Sequence, residues 1–259
     1  LRFRCENRMK PVLLLGDSCI DKFVYCKCER LCPEAPIPLL DIIKTTTNKG
    51  MAGNVFKNLI ALGCDVQFHT NTNYKKVVKT RYVDQKTNHM FIRIDTKAKS
   101  NSTFSDIISD INFHNYSAVA ISDYNKGFIT EEDIKYITQQ HPITFLDTKK
   151  LLGKWAEEVK FIKINRAEYE LSRDNLTRKL KNNIITTLGS GGAVYKDKQY
   201  DVEDVEVKDL SGAGDTFLAG LVCTFLNTHD IKQSIQVAND CATFVVQRKG
   251  VTVTNKQNL

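Results

Sequence analysis

The stretch LSGAGDTFLAG, residues 210–220, decides how the rest of the chain is read. Three small residues, Gly212, Ala213 and Gly214, stand directly before an acid, Asp215, and an apolar run follows. Small residues let a backbone turn tightly and approach a ligand closely. The unpaired N–H groups of a helix's first turn, together with the helix dipole, form a site for an anion such as a phosphate. A carboxylate beside a phosphate is unfavourable unless it has a task. The task that suits it is general base, taking the proton from a hydroxyl that attacks phosphorus. The alternative is a glycine turn ahead of a capped helix, with Asp215 an ordinary first-turn acid.

Outward from this stretch the pattern is strand then helix. Residues 12–15 are a short apolar run ending in Gly16-Asp17, as expected of a buried first strand. Residues 23–28 and 39–44 read as strands separated by the proline-punctuated loop LCPEAPIP, residues 31–38. A helix is expected from Ala52, with Val55, Leu59 and Leu62 on one stripe and Gly63 as its stop. Residues 66–70 read as a strand, and 79–84 with 90–94 as a strand pair around a turn at 86–88. Strands at 118–121, 143–146, 161–164 and 184–188 end near Asp123, Asp147, Asn165 and Ser190. A helix capped by Thr130 follows the first of them, and two closing helices fall at about 215–227 and 231–247. Repeated strand–helix units give a mostly parallel, doubly wound α/β sheet with helices on both faces, and ligands bind such sheets at the carboxyl ends of the strands. The early strands break the rhythm and are expected to form a separate small sheet. With no internal repeat or linker, residues 1–259 read as one domain.

The 259 residues carry a formal charge of +7, and no apolar stretch is long enough for a membrane span. The opening LRFRCENRMK has no apolar core after its charges and does not read as a secretory signal. Together these point to the cytoplasm. Lysines and arginines are scattered without an aromatic-interleaved basic run, so the basic excess suits phosphorylated small molecules better than nucleic acid. Of eight cysteines (Cys5, Cys19, Cys26, Cys28, Cys32, Cys64, Cys223 and Cys241) three cluster as C-x-C-x₃-C, without a second Cys/His pair at zinc-finger spacing. Reduced thiols are expected.

The chain resembles the ribokinase-family sugar kinases, also called the phosphofructokinase-B type. Their D-x-x-G-A-G-D signature stands here as Asp209 to Asp215, their N-x-x-E motif as Asn165 to Glu168, and their N-terminal glycine-rich sugar motif as Gly50-Met-Ala-Gly-Asn54. Among them the branch that phosphorylates D-glycero-D-manno-heptose 7-phosphate at its anomeric hydroxyl is most similar. GDSCIDKFVY (16–25), RLCPEAPIPLL (30–40), FIRID (91–95), ISDYNKGFI (121–129) and LDTK (146–149) resemble that branch's local strings. Two departures stand out. Met51 replaces a glycine of the family's Gly-Gly-Ala-Ala-Asn, and a helix and strand that relatives carry after residue 70 are missing. The nucleotidyl-transferase domain fused to many of these kinases is not part of the sequence.

The resemblance implies an ATP- and Mg²⁺-dependent kinase with a small β-sheet lid built from about 22–44 and 79–95. Asp215 would be the base, and the N–H groups of Ala213, Gly214 and Asp215, beside Gly212, would stabilise the moving phosphoryl group. Asp21 and Asn54 would bind sugar hydroxyls, with Gly50 and Asp123 also at the substrate; Lys126, in the same loop as Asp123, and Arg93 would meet a substrate phosphate, although Lys126 also reads as a solvated lysine. Asp17 would tie down its turn. Thr187, Gly189, Ser190, Gly192 and Asn239 would line the nucleotide site, with Lys149 a further nucleotide- or phosphate-side candidate. Asn165 and Glu168 would hold Mg²⁺ partly through water, although the same pair also reads as a helix capping box. Lids of this kind often pair between subunits, which makes a homodimer the expected assembly; no nucleic-acid or membrane partner is expected. Two other readings remain open: a family kinase for another sugar, sugar phosphate or nucleoside, and a catalytically weak binding or scaffold protein on the same fold.

Overall fold

A computed structural model describes residues 10–254; the opening segment with Cys5, on which the leader reading rests, lies outside the described residues. The chain forms β1 (Val12–Gly16), β2 (Ser18–Leu31), β3 (Pro38–Met51), α1 (Ala52–Ala61), β4 (Val66–Thr70), β5 (Val78–Asp84), β6 (Met90–Asp95), β7 (Ala118–Asp123), α2 (Glu131–Gln140), β8 (Thr144–Thr148), β9 (Phe161–Asn165), α3 (Arg166–Ser172), α4 (Arg178–Asn183), β10 (Ile184–Thr187), β11 (Ala193–Tyr195), β12 (Lys198–Tyr200), α5 (Ala213–Thr228) and α6 (Ile231–Val246).

The main sheet has eight strands in the order β12-β11-β10-β9-β8-β7-β1-β4. From β10 to β4 every pair is parallel, and the β11–β12 hairpin closes one side antiparallel. Because side chains alternate across a strand, β1 divides its residues between two cores. Val12 and Leu14 join Phe145, Phe161 and the inner faces of α1, α5 and α6. Leu13 and Leu15 join Ile121, Ile134, Leu146 and Ile162 on the α2 side. This is the doubly wound arrangement. α5 is apolar nearly all round and buried along most of its length. Phe225 anchors it to the sheet, with ring centroids 4.9 Å from Phe161 and 5.6 Å from Phe145.

The second sheet, β3-β2-β5-β6, stands apart as the expected lid. Its first two strands are longer than the sequence reading gave, 14 residues each. The extension of β3 runs through Thr45-Thr46-Thr47-Asn48-Lys49, which is polar and hides its strand character; its β-branched threonines suit the pleat. The β11–β12 hairpin also escaped the sequence reading. Its two-residue turn is Lys196-Asp197, both at positive φ (49° and 60°), and neither is the glycine or asparagine that normally signals such a turn. β4 is an edge strand of the main sheet.

Candidate active site

Chain order reverses at β1, which lies between β4 and β7. Such a switch point opens a crevice at the strand ends. The loop after β7 is fixed there by Asp17. One carboxylate oxygen accepts the N–H groups of Tyr124 and Lys126, both at 3.0 Å, and the other accepts that of Phe128 at 3.3 Å. Burial raises the Asp17 pKa, and the loop's N–H donors oppose the shift.

This loop delivers Tyr124 to Asp215. The Tyr124 hydroxyl donates to Asp215 Oδ1 at 2.7 Å, and Asn54 Nδ2, from the first turn of α1, donates to Oδ2 at 3.0 Å. Asp215 is 4% exposed. Burial pushes its pKa up to about 6, while the bonds from Tyr124 and Asn54 work against the rise; Asp147 adds to it and Lys163 reduces it. A carboxylate poised near neutral pH in a dry site is what a general base requires.

Gly212 makes this approach possible. Its φ of 85° is left-handed, and a Cβ there would stand 2.6 Å from Asn54 Nδ2. No side chain caps α5. The N–H of Ala213 turns back to the Leu210 carbonyl at 3.3 Å. Of the three N–H groups expected to face a phosphate, those of Gly214 and Asp215 therefore remain open as unpaired first-turn donors among the described residues. Lys163, only 4% exposed, reaches the same place: a Cβ on Gly214 would lie 2.9 Å from its ammonium.

The helix start opens into a groove of about 150 Å³. All five of the expected nucleotide residues Thr187, Gly189, Ser190, Gly192 and Asn239 line it, together with Ala213 and Gly214. Its outer wall is the extended segment from Val202 to Val207, on which the sequence pattern is silent. Asn239 donates to the Tyr200 carbonyl at 2.8 Å, tying α6 to the end of the hairpin.

Lys149 is not among the residues of that groove. It ion-pairs with Glu168, lies 3.8 Å from Asp147 Oδ1 and stands 5.4 Å from the centre of the Tyr124 ring. Asn165 and Glu168 do form a capping box: each side chain accepts the other's backbone N–H at 2.9 Å. That engages Glu168 Oε2 and leaves Oε1 facing Lys149. Asp147 holds Lys163 through Oδ2 at 2.7 Å, but its Oδ1 is buried without a hydrogen-bond partner.

On the lid, register places Asp21, Lys79 and Asp95 side by side, and Phe23, Arg81 and Arg93 in the next row of the same face. Asp21 pairs with Arg81 at 2.5 Å, and Arg93 grips Asp95 through two hydrogen bonds of 2.8 and 2.7 Å. Lys79 stands 4.8 Å from the centre of the Tyr124 ring, so this face looks onto the base. Gly50 is required here as well, since a Cβ would lie 2.0 Å from Asp21 Oδ2. Asp123 has a different place from the one expected. Its carboxylate is fully buried and accepts from Thr148, Lys150 and the Asn125 N–H, so it ties β7 to β8 and does not face a substrate. Lys126 is half-buried and contributes its backbone N–H to the loop anchor.

Tyr124, Lys163, Lys79 and Arg81 are site residues that the sequence reading passed over. Tyr124 sits between Asp123 and Lys126 in a string already singled out. Lys163 interrupts an otherwise apolar strand, and that interruption was its only signal.

Fold and site together define a class, the ribokinase-like kinases. The structure superposes on a ribokinase from Thermotoga maritima with a TM-score of 0.72 at 16% identity, covering 96% of this chain and 98% of that one. It superposes on phosphofructokinase-2 from Escherichia coli, solved with substrates and products, with a TM-score of 0.71 at 12% identity, covering 96% and 97%. The chain belongs to the pfkB family of carbohydrate kinases, whose model matches residues 49–258. Among curated proteins it is similar to the bifunctional protein HldE of a Nitratiruptor species, 27% identical over 305 residues, covering 97% of this chain and 64% of that protein. The HldE of a Helicobacter pylori strain is 29% identical over 307 residues, covering 97% and 66%. The chain thus spans about two thirds of the length of these relatives. The 305-residue alignment is longer than the 259-residue chain, so the relative carries at least 46 positions (305 minus 259) that this chain lacks.

Proposed function

We propose that this protein transfers the γ-phosphoryl group of ATP to the anomeric hydroxyl of a heptose 7-phosphate, giving the 1,7-bisphosphate. The observation that carries the reading is Asp215. It is a buried carboxylate with a pKa of about 6, between the groove lined by Thr187, Gly189 and Asn239 and a lid face bearing Lys79, Arg81 and Arg93. Arg81 and Arg93 are paired there with Asp21 and Asp95, and Lys79 leaves the face one positive charge in excess, which suits a sugar with a second phosphate better than a neutral sugar. The resemblance of residues 16–25, 30–40 and 121–129 to the heptose 7-phosphate kinases supports the same choice.

In this reading the acceptor hydroxyl takes the place of the Tyr124 hydroxyl at Asp215 Oδ1. Asp215 receives its proton as the oxygen attacks phosphorus, and Asn54 holds the carboxylate in orientation through Oδ2. The N–H groups of Gly214 and Asp215, with the ammonium of Lys163, face the charge on the transferring group and exclude water from it. Asp21 and Asn54 accept or donate to sugar hydroxyls. Magnesium fits the strand ends: Asp147 Oδ1 is a buried oxygen lacking a partner, and Glu168 Oε1 lies across the Lys149 ammonium from it. Bound there with ATP, it would neutralise phosphate charge. The half-exposed isoleucines of the lid, Ile42, Ile92 and Ile94, support pairing of two lids in a homodimer.

The test is an ADP-release assay with Mg-ATP and a panel of free and phosphorylated sugars, run beside Asp215→Asn. Turnover on heptose 7-phosphate that disappears in the variant is the expected result. Turnover confined to another sugar overturns the heptose assignment and keeps the kinase. ATP binding without turnover on any sugar would reduce the chain to a binding protein on a kinase fold.

A further inference from the structure

The Asp147–Glu168 carboxylate pair already holds a cation, supplied by the chain. We propose that the ammonium of Lys149 is the resident counter-ion of this pair, and that a divalent cation enters only by displacing it. The inference rests on the kinase reading for its location, since Lys163, bonded to Asp147, also lies beside Gly214 at the edge of the groove.

Three observations carry it. Lys149 Nζ ion-pairs with Glu168 Oε1 yet stays 3.8 Å from Asp147 Oδ1, beyond hydrogen-bond distance, so it completes one carboxylate and only approaches the other. Asp147 Oδ1 is consequently a buried acceptor without a partner, on a residue that is 2% exposed. A buried oxygen left in that condition is unfavourable, and an ion able to bind both carboxylates would satisfy it. Finally, the two lysines that touch Asp147 are held differently. Lys163 is fixed, 4% exposed and bonded at 2.7 Å, whereas the Lys149 side chain is 32% exposed and ends a flexible four-carbon stem. Lys149 can leave; Lys163 cannot.

The consequence is a coupling. With Lys149 in place, the carboxylates have little net charge to offer a metal, so divalent affinity without nucleotide is weak. When polyphosphate arrives it supplies a second anionic partner for the ammonium and the site opens. Metal and nucleotide therefore bind in positive cooperation, and Lys149 sets its size. The Tyr124 ring, with its centre 5.4 Å from the ammonium, borders it in this resident position.

The experiment measures binding, with no turnover required. Nucleotide-free protein is titrated with Mn²⁺ and the free ion is read by electron paramagnetic resonance, for wild type, Lys149→Met and Lys149→Gln. Both variants should bind Mn²⁺ about tenfold tighter or better, by removal of a competing charge at the site. Adding Asp147→Asn to Lys149→Met should return affinity to the wild-type level. Unchanged or weaker Mn²⁺ binding in the single variants overturns the proposal. Circular dichroism checks that they fold. Should they not, amine labelling of nucleotide-free wild type followed by mass spectrometry decides it: Lys149 must label faster in saturating Mg²⁺ than without it, and equal or slower rates overturn the idea. Tight Mn²⁺ binding in the variants alongside no sugar turnover in wild type would sink the kinase reading and leave this one standing.

Discussion

The Tyr124 hydroxyl lies 2.7 Å from Asp215 Oδ1 and donates to it, so a phenol holds this buried carboxylate. With Asn54 on the other oxygen, both carboxylate oxygens are engaged. A hydroxyl that must give up a proton has to compete with Tyr124 for Oδ1. The same bond favours the charged carboxylate and opposes the upward shift that burial imposes.

Removing that donor should therefore move the pH profile. In Tyr124→Phe the Asp215 pKa rises above about 6, and the acid limb of kcat/KM moves to higher pH by roughly one unit or more, as expected for a lost hydrogen bond to a charged group. A profile that stays put while activity falls would mean that Tyr124 only fills space.

Asp215→Asn should lower turnover by about 10²–10⁴, the usual worth of a general base. It should also stabilise the fold at neutral pH. The native pKa, about 6, lies above the ordinary value of 3.8, so the native state holds this proton more tightly than the unfolded chain. The resulting stability is complete below pH 3.8 and is lost as pH rises through about 6, a difference of about 3 kcal/mol. Denaturant unfolding should find the variant more stable than wild type at pH 8, with the advantage shrinking toward pH 4.

Gly212→Ala should separate catalysis from binding. The new Cβ meets Asn54 Nδ2 at 2.6 Å in a left-handed backbone, displacing the side chain that orients the base. A shift of about 1 Å at such a point reduces kcat about 100-fold, while the nucleotide groove, bounded mainly by other residues, keeps its ATP affinity. Calorimetry with an ATP analogue beside steady-state kinetics reads both; equal loss of binding and turnover would refute the division.

Met51 inverts the usual order of truncations. It sits at φ 57°, ψ −134°, a glycine-type conformation, yet its side chain is 2% exposed against Cys19, Val77 and Tyr124. Strain of this kind costs about 1–3 kcal/mol. Met51→Ala loses the packing and keeps the strain, while Met51→Gly loses the packing and relieves it. The glycine variant should be the more stable of the two by about 1 kcal/mol or more. If chemical denaturation ranks alanine above glycine, the backbone at this position is not strained.

The lid gives an assembly prediction. Ile92→Asp with Ile94→Asp places two charges on the exposed face of β6, where the wild-type side chains are each 52% exposed. Sedimentation should find the wild type dimeric and this variant monomeric. A monomeric wild type ends the pairing proposal.

Sequence alone determined the strand–helix rhythm, the doubly wound sheet and the helix that begins at the glycine-rich turn, because those depend on local periodicity and on residues whose backbone preferences are intrinsic. Asp215 stood out through the small residues before it, whereas Asn54 and the nucleotide-loop glycines were singled out only through the motifs they share with the ribokinase family. Tertiary structure alone decided which side chains converge. Tyr124 and Asp215 are 91 residues apart, and Lys149, Asp147 and Glu168 meet only because β8 and β9 are neighbours in the sheet. Asp123 was expected at the substrate and is a buried tie; Lys163, passed over in the sequence, is the ammonium beside the helix start. Local sequence fixes backbone conformation, but charge pairing depends on distances that only the packed sheet sets.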